Sequence, residues 1–154
     1  MRLATMSFTS SEEDMQNTHE ALVETKCKEL LNAFQGVLWW KWDSRFEAAL
    51  AEFNVASKDK ILAILNQYFT SVWDSSNISK APRTVKDIKN HLGDLRTSQM
   101  LFTSDTTLND CLYCAWWPWG DARTVSIRIA PWYKDLPASE KAGRMQAFKN
   151  LIEK

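Results

Sequence analysis

Residues 110–129 read DCLYCAWWPWGDARTVSIRI and predict a β-hairpin. The last six positions alternate between polar and apolar side chains, which is the pattern of a strand with one buried face. The first eight positions are apolar enough to form the partner strand. Between them, Pro118-Trp119-Gly120-Asp121 has the composition of a four-residue turn, which would place Trp117 opposite Ala122.

The predicted register divides the hairpin into two faces. One face is mostly apolar, and we expect it to pack on helices: Leu112, Cys114, Trp116, Val125, Ile127 and Ile129. The other face carries Tyr113, Trp117 and Arg128, and Trp119 at the turn extends it. Because Tyr, Trp and Arg are enriched in binding hot spots, these four residues form the predicted binding surface. The alternatives are that another part of the chain covers them, or that a one-residue register shift exchanges the faces.

Helical periodicity dominates the rest of the chain. It predicts helices over 11–36, 44–53, 57–73 and 84–95, and a last helix after Pro137. Gln99–Thr103 is predicted to be a third strand. The predicted fold is therefore α+β, with about five helices packed on one face of a small antiparallel sheet of about three strands. We expect residues 1–9 to be a flexible tail and 10–154 to be a single globular domain.

Three of the eight tryptophans fall close together at a predicted helix junction, at Trp39, Trp40 and Trp42. We interpret this cluster as a plug that seals one end of the core. The alternative is an aromatic wall of a ligand pocket, which Trp73 would complete and Lys41 would border. That alternative predicts a small apolar ligand.

Charge and cysteine content limit the function classes. Lys+Arg and Asp+Glu are both 19, so there is no positive field for nucleic acid or anionic membranes, and self-association is favoured. Charge is uneven along the chain, with an excess of acids at 11–29 and of bases at 80–96. We interpret these segments as two solvated helix faces or as partners of each other. The alternatives are an acidic face for a basic partner and a basic helix that contacts phosphate. Three cysteines and no apolar run of membrane length predict a cytoplasmic protein.

The sequence contains no catalytic or metal-binding pattern. Cys111 and Cys114 have CxxC spacing, but they lie within a predicted strand, point to opposite sides and lack a second pair for zinc. His19 and His91 fall in predicted helices, where we expect a solvated or hydrogen-bonded imidazole. No cofactor and no metal are therefore expected.

These observations favour a small interaction protein, of the binder, inhibitor or immunity type, over an enzyme. The predicted partner is another protein or a second copy of the chain, with nucleic acid disfavoured and no membrane association. The alternative is a small-molecule-binding domain or minor enzyme that uses the tryptophan-lined pocket.

Overall fold

The computed structural model describes residues 23–107 and 110–153. The helices among them are α1 (23–33), α2 (Lys58–Tyr68), α3 (Arg83–Leu92) and α4 (Ala138–Ile152). The strands are β1 (Lys41–Asp43), β2 (Ala48–Asn54), β3 (Ser71–Trp73), β4 (Met100–Thr103), β5 (Asp110–Pro118) and β6 (Thr124–Tyr133). Two short 3₁₀ turns occupy Val55–Ser57 and Ile78–Lys80. The predicted tail at 1–9, the predicted helix start at 11–14 and His19 lie outside the described residues.

The strands form one antiparallel sheet in the order β1-β2-β6-β5-β4-β3. The chain is α+β as predicted, but the predicted architecture is wrong. The described residues contain a six-stranded sheet and four helices, where the sequence predicts about three strands and about five helices. The hairpin of β5 and β6 is confirmed, and it lies at the centre of the sheet.

The predicted helix over 44–53 is the largest error. Most of this segment is β2, whose buried side chains at Ala49, Ala51 and Phe53 face the same side of the sheet. The apolar positions of this segment fit a helical repeat and a two-residue repeat equally well. Pairing with β6 along the full length of β2 decides between the two, because strand preference depends mainly on the neighbouring strands.

The two edge strands were also missed, because each has only three residues. β1 contains Trp42, the last residue of the tryptophan cluster, and β3 occupies the end of the segment predicted as a helix over 57–73. The helix α2 ends at Tyr68, and Phe69 already has an extended backbone. Edge strands this short have too few positions to show a periodic pattern, so only the neighbouring strand reveals them.

The hairpin turn spans 119–123 and shifts the predicted register. Trp117 lies opposite Ser126, where the predicted partner is Ala122. Asp121 Oδ1 stabilises this longer turn by accepting hydrogen bonds from two of the following backbone N–H groups, each at 2.9 Å. Because the register moves by an even number of residues, every side chain of the hairpin stays on its predicted face.

The two faces of the sheet are named here by residues of β6. The isoleucine face carries Val125, Ile127 and Ile129, all buried, and the arginine face carries Ser126, Arg128, Ala130 and Trp132.

Helices lie on both faces, so the prediction of a single helix-covered face is wrong. α4 packs on the isoleucine face, where the rings of Phe148 and Trp42 are 5.7 Å apart. α3 contacts the arginine face, where the rings of His91 and Trp132 are 5.5 Å apart. Part of the arginine face beyond α3 is uncovered and forms a groove.

Candidate binding groove

An open groove of about 840 Å³ lies on the arginine face. Its walls come from the turn between β1 and β2, the segment after α3, and the ends of β5 and β6. The residues that line it include Asp43, Arg45, Phe46, Arg96, Trp117, Trp119, Ser126 and Arg128. We call this feature the arginine groove.

Arg128 lines the arginine groove and packs against two adjacent aromatic rings. Its guanidinium carbon is 4.3 Å from the ring centroid of Trp117 and 5.4 Å from that of Phe46. The two rings themselves meet edge to face at 5.3 Å. A guanidinium packed against aromatic rings keeps its N–H donors free for hydrogen bonds in its own plane. The packing therefore fixes the orientation of Arg128 without using its donors.

Two hydrogen bonds complete the placement of Arg128. Nε donates to Asp43 Oδ2 at 2.6 Å, and Nη1 donates to Ser126 Oγ at 3.2 Å. Nη2 makes no hydrogen bond within the part of the chain that the structure describes. Since an arginine has five N–H donors, three donors of Arg128 make no hydrogen bond to any described residue.

The turn after β1 positions the carboxylate that holds Arg128. Asp43 Oδ1 accepts hydrogen bonds from the backbone N–H groups of Arg45 at 2.9 Å and Phe46 at 3.4 Å. Glu47 then adopts a φ of 54°, which turns the chain back into β2. With one oxygen of Asp43 used by the turn, the other is directed at Arg128.

The same contacts change the acidity of Asp43. Partial burial acts to raise the pKa of its carboxyl group, but the hydrogen bond and charge of Arg128 outweigh burial. Together with the two backbone N–H groups of the turn, they hold the pKa below its ordinary value. The side chains of Arg128 and Asp43 are only 15% and 11% exposed, so this ion pair is largely shielded from water.

Three of the four residues predicted to form the binding surface line the arginine groove. Trp119 is 47% exposed at its rim, while Trp117 and Arg128 are half-buried in its wall. The fourth residue, Tyr113, lies on the same face of the sheet but does not line the groove.

Tyr113 is buried, contrary to its predicted exposure, because α3 covers this part of the face. It is 1% exposed and its ring lies 6.4 Å from that of Trp132, against which His91 also packs. Burial raises the pKa of the Tyr113 hydroxyl. Tyr113 therefore belongs to the protein interior and not to the groove surface.

The tryptophans of the alternative pocket occupy different surroundings. Trp39 is 80% exposed, and Trp40 meets Phe34 edge to face at 5.7 Å. These two line a cavity of about 350 Å³ next to α1 and the end of α4. Trp42 instead packs on Phe148 of α4.

Trp73 is separated from the other three by the width of the sheet. It belongs to β3 at one edge, whereas Trp42 belongs to β1 at the other. Its Nε1 donates to Thr103 Oγ1 at 3.0 Å. The structure thus brings together two of the four tryptophans predicted to form a pocket.

The sequence alone gives no reason to select several of the residues that line the groove. Phe46 falls on the inward side of the incorrectly predicted helix, and Asp43 and Arg45 fall at its start. Ser126 is on the correct face of the hairpin but is too common a residue to single out. The proximity of Asp43 to Arg128, which are far apart in the chain, depends on β2 pairing with both β1 and β6.

His91 is hydrogen-bonded, as expected. Its Nε2 lies 2.9 Å from the backbone oxygen of Phe46. Because a carbonyl oxygen only accepts, Nε2 must carry the proton in this contact. His91 thereby connects the end of α3 to the wall of the arginine groove.

The two segments of opposite charge do not pair with each other among the described residues. Glu24, in the acidic segment 11–29, accepts a hydrogen bond from the Tyr133 hydroxyl at 3.2 Å and forms an ion pair with Arg144 of α4. Two cations of the segment 80–96 pair with carboxylates of that same segment.

All three cysteines are free and buried. Burial raises the pKa of Cys27 and Cys111 to about 12, and it also raises the pKa of Cys114. Since the thiolate is the reactive form, none of these thiols should react readily at neutral pH. Within the described residues, no group of three or more His, Cys, Asp or Glu side chains is arranged to hold a metal ion.

We expect the native protein to resist a thiol reagent such as dithionitrobenzoate. At pH 8 the native chain should release almost no thionitrobenzoate, whereas the chain unfolded in guanidinium should release three equivalents. Rapid release of one equivalent from the native chain would contradict the burial of these side chains.

No protein family, curated protein or solved structure matches this chain. Each helix in the described ranges is too short or too polar to cross a lipid bilayer.

Proposed function

We propose that the chain is a protein-interaction module that binds its partner through the arginine groove. The observation that carries this proposal is the arrangement of Arg128, whose guanidinium packs against two adjacent aromatic rings, is bonded to Asp43, and has no partner for Nη2 among the described residues. Binding normally loses affinity because long side chains must be ordered. Here the fold has already ordered Arg128, so a partner gains its hydrogen bonds at a reduced entropic cost.

The aromatic rim supports the same conclusion. Trp119 is one of five large apolar side chains that are at least a third exposed among the described residues, and it lies beside Trp117. Trp and Arg are the residue types that most often contribute strongly to protein–protein affinity. A partner that covers Trp119 would bury a large apolar surface next to a directed hydrogen-bond donor.

The tryptophan-lined pocket is the weaker alternative. Only Trp39 and Trp40 line a common cavity, and the indole nitrogen of Trp40 is buried without a partner in the described residues, out of reach of a ligand. A cytoplasmic location and self-association stay predictions from composition.

The substitution Trp119→Ala should abolish partner binding without unfolding the protein. The wild type, Trp119→Ala and Trp39→Ala would each capture proteins from a lysate of the source cells. The matched control removes a ring that is 80% exposed but lies outside the groove. The captured protein would then be purified, and its dissociation constant should rise at least about 30-fold for Trp119→Ala, the loss expected of a hot-spot residue.

Equal binding to Trp119→Ala and wild type would rule out the arginine groove as the interaction site. Loss of binding in Trp39→Ala alone would move the site to the cavity beside α1. Circular dichroism and thermal unfolding of all three proteins establish that each variant is folded.

A further inference from the structure

We infer that the partner of the arginine groove presents an acidic segment. Its carboxylates would bind Arg45 and Arg96, and an apolar side chain of the same segment would pack on Trp119. This inference rests on the proposed function, because it specifies the chemistry of the partner for that same groove.

The charges that line the arginine groove are unequally matched. One carboxylate belongs to the ion pair at its centre, and the other, Asp94, accepts a hydrogen bond from Lys89 Nζ at 3.0 Å. By contrast, the guanidinium groups of Arg45 and Arg96 make no hydrogen bond or ion pair with any residue that the structure describes. Among the described residues, the groove therefore has two cations without a counterion and no carboxylate without one.

The placement of Arg45 suits it for binding a carboxylate. Its guanidinium carbon lies 4.9 Å from the ring centroid of Phe46, on the ring that also contacts Arg128. Packing on the ring leaves the in-plane N–H donors available. Two parallel N–H groups of one guanidinium match the two oxygens of a carboxylate, which gives both affinity and orientation.

A protein segment fits these features better than a nucleic acid does. A phosphate backbone requires an extended array of cations, whereas this chain has a net charge of zero. A volume of about 840 Å³ accommodates several side chains of an extended peptide.

Fluorescence anisotropy of labelled peptides tests this inference with the full chain. The probes are short repeats of Glu-Glu-Phe, Gln-Gln-Phe and Lys-Lys-Phe, which differ only in charge. The acidic peptide should bind most tightly and should weaken as the salt concentration rises. The double variant Arg45→Gln/Arg96→Gln should reduce its affinity about tenfold, the sum of two partly exposed ion pairs.

The matched control is Lys58→Gln/Lys60→Gln, which removes the same charge from exposed positions on α2. An acidic partner is excluded if the acidic peptide fails to bind, if the Gln peptide binds equally well, or if both double variants behave alike. Tighter binding of an oligothymidylate of similar length would also overturn it, in favour of a phosphate ligand.

Trp119→Ala separates this inference from the proposed function. If the Gln peptide binds as well as the acidic one but still depends on Trp119 and not on Trp39, the groove binds peptides and only its charge preference is refuted. If peptide binding is indifferent to Trp119, the proposed function fails as well.

Discussion

Trp116→Ala should lower the free energy of unfolding by about 4 kcal/mol, whereas Trp119→Ala should change it by less than about 0.5 kcal/mol. The two residues are close in the chain but differ completely in environment. Trp116 is 5% exposed on the isoleucine face, and its ring lies 5.3 Å from that of Phe53 and 6.2 Å from that of Phe102. Its removal would leave a cavity between three strands.

Urea unfolding of both variants measures this difference. The comparison also tests the register of the hairpin, because a shift of one residue would exchange the two faces of β5. Comparable destabilisation in both variants, or a larger loss in Trp119→Ala, would show that the hairpin register described here is incorrect.

Asp43→Asn should destabilise the protein by about 2 kcal/mol. Asparagine can still accept the backbone hydrogen bonds of the turn, but it leaves the guanidinium of Arg128 without a counterion. Removing one partner of a fully buried pair costs about 3–5 kcal/mol, and we expect less because the side chains are 15% and 11% exposed. Arg128→Met keeps the apolar stem against Trp117, and it removes the charge.

A double-mutant cycle isolates the ion pair. The combined variant Asp43→Asn/Arg128→Met should be more stable than the sum of the single losses predicts, by about 2 kcal/mol. Additive losses would mean that the two side chains contribute independently. The orientation of Arg128 would then have to come from the aromatic rings alone.

The same pair predicts how stability depends on pH. The pKa of Asp43 is lower in the folded protein than its ordinary value of 3.8, so the unfolded chain binds the proton more readily. The contribution of the pair is therefore complete above about pH 5, and it is lost as the pH falls through 3.8 and then through the lower folded-state pKa. The stability difference between wild type and Asp43→Asn should shrink in that range, and a constant difference would contradict the assignment.

The local sequence pattern was sufficient to predict the central hairpin of β5 and β6, but it did not predict the strands β1, β2 and β3. Alternation from Thr124 to Ile129 identifies β6, and an apolar run identifies β5, because both strands are long enough to show their period. The same reasoning failed for β2, whose apolar positions fit two repeats, and for the three-residue edge strands. Three strands were lost in this way, and the number of predicted helices rose accordingly.

The predicted binding surface was likewise predictable from local pattern only in part. Its face could be predicted, since side chains alternate along a strand and the error in register was even. The exposure of each residue on that face could not be predicted, because α3 buries Tyr113 while the surface beside Trp119 stays uncovered. Which residues of a face meet solvent depends on elements that are distant in the chain.

The sequence by itself determined the α+β class, the hairpin and the face that carries Trp117, Trp119 and Arg128. These features follow from periodicity, which is a property of neighbouring residues. Only the tertiary structure decided that Asp43 and Phe46 meet Arg128, because β1 and β6 are brought together through β2. The arginine groove exists because of that long-range pairing, which no local pattern encodes.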